Sequence, residues 1–167
     1  MSNRTAPTPM AELVETLWYE RRLLEFLLFK LVSANLVLSS ADRRFVGSAV
    51  DEVEQVLDRV RRAESDRHRV VQNLATMWGE PASSLTLSEL ARRAEVPFAQ
   101  ELRDCQLAFA RLVDEIDKVA KANRQLATVG LGDLRAAFGV EASLTYAPSA
   151  AAPAPAASAA VHIDRRL

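Results

Sequence analysis

Residues 10–38 read MAELVETLWYERRLLEFLLFKLVSANLVL, and this stretch decides the fold. Met10, Leu17, Leu24, Leu31 and Leu38 recur every seven residues. Leu13, Leu27 and Ala34 fill the intervening core position, with Glu20 as the one polar break. Val14 and Leu28 widen the stripe. Such spacing is the seam of a long helix that packs on other long helices. At ~1.5 Å per residue it runs on the order of 40 Å, more than a compact small domain needs. Surface-to-surface binding suits such a rod better than a pocket reaction.

Working outward, the second helix is expected from about Asp42 to Trp78, capped by Ser39, Ser40 or Asp42. Its seam is Val46, Val50, Val53, Leu57, Val60, Glu64, Arg67, Val71, Leu74 and Trp78. Glu64 and Arg67 either form a polar layer with Glu20 or sit at the rim with their stems over apolar surface. The cost of burying charge favours the rim. Gly79, Pro81 and Ser83-Ser84 break the pattern. Thr86-Leu87-Ser88-Glu89 has the form of a capping box opening a short helix. Pro97 suits the first turn of the last long helix. That helix carries the cleanest seam: Phe98, Leu102, Cys105, Phe109, Leu112, Ile116, Val119, Asn123, Leu126 and Gly130. Asn123, alone and polar, either fixes register or satisfies a backbone group where the bundle opens. Leu131, Leu134 and Phe138 carry apolar character onward past two helix-weakening glycines.

The expected fold is all-α: an elongated antiparallel bundle of three long helices with one short helix, over residues 1–142. Residues 143–167 form an Ala/Pro-rich tail with no core-forming run between 147 and 160, for which disorder is expected.

Composition narrows the function. The 167-residue chain is 49% hydrophobic and 26% charged, as core-forming domains are. Its net charge of −1 supplies no field toward nucleic acid or an acidic membrane. Cys105 is the single cysteine, which fits a reducing compartment and a small core residue. The start lacks a signal-peptide pattern, and Glu25 and Lys30 interrupt the most apolar window, so a cytoplasmic protein without membrane insertion is expected. Gly130-Leu131-Gly132 is no phosphate loop without a preceding strand. Glu64 and His68 stand four apart and unrepeated, so His68 reads as a solvated helix-face residue and no metal or cofactor is expected. No nucleophile–base grouping follows from spacing, so no enzyme is expected. Leu87 to Val96 resembles the opening of a helix-turn-helix DNA reader. Glu95 replaces the usual glycine of the turn, and Glu101 and Asp104 would face phosphates. Nucleic acid is therefore not an expected partner.

A family resemblance gathers these pieces. Residues 20–31, 35–38, 52–57, Ala63-Glu64, 87–90 and Ala122-Asn123-Arg124-Gln125-Leu126 match, in order and spacing, the FlgN-type flagellar export chaperones in their actinobacterial form. Asn123-Arg124, followed by Leu126, is the most telling piece. The pieces spread from about Leu13 to Phe138, and the Ala/Pro tail and Gly130 and Gly132 add nothing to the resemblance. The resemblance implies a cytoplasmic chaperone of flagellar type III secretion. It would bind hook–filament junction proteins, prevent their premature assembly and deliver them to the export apparatus. It also implies client binding through the C-terminal part, here Asn123, Leu126, Val129, Leu131, Leu134 and Phe138. An amphipathic client helix would lie along that strip. The strip could instead close the bundle itself. A self-associating coiled-coil protein, hence a homo-oligomer, is the second reading, and a helix-turn-helix DNA binder the third.

Overall fold

The computed structural model describes residues 8–137, and within them the chain is helical with no strand. Helix α1 spans Pro9–Ser39, α2 Val46–Trp78, α3 Leu87–Arg93 and α4 Phe98–Ala137, with a 3-10 turn at Ala82–Ser84. The tail expected over 143–167 lies outside the described residues.

Local chemistry explains where the helices begin and end. Thr8 caps α1, its hydroxyl oxygen accepting from the Ala11 N–H at 3.3 Å, and Pro9 follows at a position that needs no N–H. The second helix starts four residues later than expected. Asp42 instead holds a local turn, accepting from the Arg44 N–H at 3.0 Å and from its guanidinium. Phe45 is left as the cap residue, with no side-chain cap bond. The α2 terminus is a left-handed glycine, Gly79 at φ 68°. The following Glu80 N–H reaches back to the Ala75 carbonyl at 3.0 Å, satisfying an end carbonyl. Thr86 caps α3 through the Glu89 N–H, as the capping box requires. The Glu89 carboxylate, however, turns to Arg92 and Arg93 and leaves the reciprocal half of the box unmade.

Helix α1 is central, packing against both α2 and α4, while α3 packs on α4 and the 3-10 turn on α2. Ion pairs join Lys30 to Glu52 at 2.7 Å and Glu20 to Arg67 at 2.9 Å, so numbers rise along α1 as they fall along α2. Along α4 they rise together: Asn35 bonds Asn123, and Arg43 meets Gly130. Leu13, Leu17, Leu24, Leu27, Val60, Leu74, Leu102, Phe109 and Ile116 form the shared core.

Two seam readings are corrected. Arg67 is not a rim residue: it crosses to Glu20, whose side chain is fully buried, while its own is 14% exposed. Pairing removes most of the penalty that argued against burial. Val50 is exposed, because it lies on the flank of α2 beside a contact face of half-buried Val46, Ala49 and Val53, and full burial begins at Val56 and Leu57. Cys105 is buried as expected, and burial pushes its thiol pKa up, so it stays protonated and unreactive at neutral pH.

Candidate functional site

The expected client-binding residues lie on the last third of α4, and the structure treats them unequally. Asn123 faces α1. Its Nδ2 donates to the Leu31 carbonyl at 2.8 Å, and its Oδ1 accepts from Asn35 Nδ2 at 2.8 Å. One side chain thus meets both roles open to it, tying helix register and satisfying a backbone oxygen. Asn123→Ala removes both bonds, and a loss of about 1–3 kcal/mol is expected by urea denaturation. A change within measurement error would show that the bridge does not hold in solution.

Leu126 is half-buried on the same side as Asn123. Gly130 is buried where the Arg43 side chain lies over it. A Cβ there would come within 3.2 Å of Arg43 Nη1, which donates to the Leu38 carbonyl. With Gly130 turned inward, Val129 and Leu131 fall on opposite flanks of α4, 61% and 57% exposed. They do not form one line. Leu134 belongs to the α4 backbone beyond Gly130, and Phe138 lies outside the described residues.

The α1–α2 end of the bundle carries further exposed apolar residues, two of them without a signal in the sequence. Leu36 of α1, Phe45 of the connecting loop and Val50 of α2 are all exposed there. Leu36 falls off the heptad seam, and Phe45 sits among charged loop residues, so neither carries a periodic signal. Asn35 is level with Asn123 and α1 ends at Ser39, so α4 runs on after its partner stops. From Gly130 to Ala137 it continues seven residues, on the order of 10 Å.

Other chemistries find little to work with. Among the described residues no three His, Cys, Asp or Glu side chains come together as a metal set, and no helix is long and apolar enough to cross a membrane. His68 is exposed and bonds Gln72. In the segment resembling a DNA reader, Arg92 and Arg93 are engaged by Glu89, and Arg93 also by Glu80 at 2.7 Å. Those pairs compete with any phosphate.

Central α1, returning α2 and a long overrunning α4 span residues 9–137. A family model described as FlgN protein matches residues 10–135. The chain belongs to the FlgN family. Comparison with curated proteins and with solved structures returns no match. FlgN proteins are chaperones of flagellar export, and the match runs almost to the end of α4, covering Asn123, Leu126, Val129, Leu131 and Leu134.

Proposed function

We propose that this FlgN protein is a cytoplasmic chaperone that binds hook–filament junction proteins. It shields their terminal helices from early assembly and hands them to the type III export apparatus. The observation that carries this reading is the overrun of α4 beyond α1, flanked by exposed Val129 and Leu131. An amphipathic client helix docking there would supply the neighbour that α4 lacks, the helix-in-groove mode. Leu134 and Phe138 extend the proposed surface, and Leu126 and Asn123 form its inner margin against α1. Binding and release, without catalysis, is the whole activity under this proposal.

The test is a pull-down of junction proteins with the Val129→Asp/Leu131→Asp variant. Both side chains are more than half exposed, so helix content by circular dichroism should not change. Placing carboxylates in an apolar contact should lower client retention by about tenfold or more. Full retention by a folded variant would remove these residues from the surface. Failure of the wild-type chain to retain any junction protein would remove the function.

A further inference from the structure

Six large apolar residues of α1 are exposed: Trp18, Tyr19, Phe26, Phe29, Val32 and Leu36. They share the side of α1 opposite its buried leucines, which α2 and α4 leave bare. A helix that is apolar all round is normally covered all round. Four aromatic rings about half exposed, with Val32 and Leu36, present on the order of 600 Å² of apolar surface, at the upper end for a monomer.

The residues on that side have an order. Ala11, Glu15, Trp18, Arg22, Glu25, Phe29, Val32 and Leu36 advance by alternating steps of four and three, a second heptad seam on the back of the first. An alternating seam of this kind is symmetric in position about a point between Leu23 and Leu24, so two copies can pair it antiparallel, and there Arg22 falls opposite Glu25 and Trp18 opposite Phe29. We infer that the outer face of α1 is a two-fold seam on which a second copy of this chain packs its own α1, antiparallel.

In that register each layer finds a sensible partner. Arg22 meets Glu25 of the other copy, and the symmetry makes that ion pair twice. Trp18 meets Phe29. Tyr19 and Phe26, one position beyond the seam, lie on the same flank and within two residues of each other across it. Ala11 meets Leu36, small against large. Glu15 opposite Val32 is the one poor match, and it lies far enough from the dyad to turn its carboxylate to solvent. Every exposed large apolar residue of α1 is accounted for. Glu25 already pairs with Arg21 at 2.9 Å, and one further oxygen remains to accept from Arg22 across the dyad. Arg21 over Trp18 at 5.1 Å and Lys30 over Phe26 at 5.4 Å partly screen the rings in the single chain, and both stems are long enough to move aside. Two copies together bury about 1,200 Å² of apolar surface, the lower bound of a specific interface. This inference does not depend on the client reading.

Sedimentation of the full chain over a range of concentrations tests it. A monomer–dimer equilibrium is expected. Arg22→Glu should weaken it by about tenfold or more, because two attractions become two repulsions. Glu25→Arg should do the same, and Arg22→Glu/Glu25→Arg together should restore it. As an independent check of register, Trp18→Cys/Phe29→Cys on a Cys105→Ala background should give a covalent dimer on mild oxidation, and Trp18→Cys alone should not. A wild-type chain that stays monomeric into the hundreds of micromolar overturns the inference and leaves the face to a different protein. A dimer indifferent to Arg22→Glu, or not rescued by the double exchange, also overturns it.

Discussion

Arg67→Ala should destabilise this protein by about 3–5 kcal/mol, because it takes the opposite charge away from the buried Glu20 carboxylate. For a chain of this length that lowers Tm by about 10 °C. Glu20 is wholly buried and Arg67 nearly so, and they bond at 2.9 Å across α1 and α2. The attraction between two such charges roughly offsets the cost of taking both from water, so the pair adds little net stability. Its removal one side at a time is what costs. Glu20→Leu/Arg67→Met should therefore be far less damaging than either single change, neutral or even stabilising. Thermal and urea unfolding of the four proteins completes a double-mutant cycle. Single losses below about 1 kcal/mol would mean that water reaches the pair. The pair also opposes slippage: sliding α2 by one turn would part the two charges and leave both in the core without each other.

Phe109→Ala should cost about 3–5 kcal/mol by the same measurements. Phe109 is the largest fully buried side chain among the described residues and sits in the first third of α4, on its buried seam. Its ring lies in the one core that joins α1, α2, α3 and α4. Removing the ring leaves a cavity that straight helices cannot easily close, since packed cores relax only in part. Against a total of roughly 5–15 kcal/mol for a domain, that loss brings the fold to the edge of melting. A small effect would show that α4 collapses onto α1 and fills the gap.

The last helix illustrates how much of the site was legible. Alternating four and three steps placed Leu102, Cys105, Phe109 and Ile116 on the buried face, and all four are buried. The break at Gly79 and the Thr86 cap were legible too, since both act within a few residues. Beyond Leu126 the rule led to Gly130, and Val129 and Leu131 were joined into one strip only because both are apolar and near in sequence. Two residues on a helix turn by more than half a circle, so they flank Gly130 instead. The exposure of Phe45 and Leu36 left no periodic trace in the sequence, since which faces stay open is set only once the helices have packed.

Taken alone, the sequence determined the long amphipathic helices, the ends set by local capping, and kinship with FlgN, because periodicity and caps are properties of neighbours along the chain. Only the tertiary structure decided that Arg67 reaches Glu20, 47 residues away, that Asn123 bridges Asn35 and Leu31, and that Arg43 covers Gly130. Those choices depend on the register between helices. Helix α1 shows the reason most clearly: it carries apolar seams on both sides, so its pattern demands burial without saying which side this chain covers and which it leaves open.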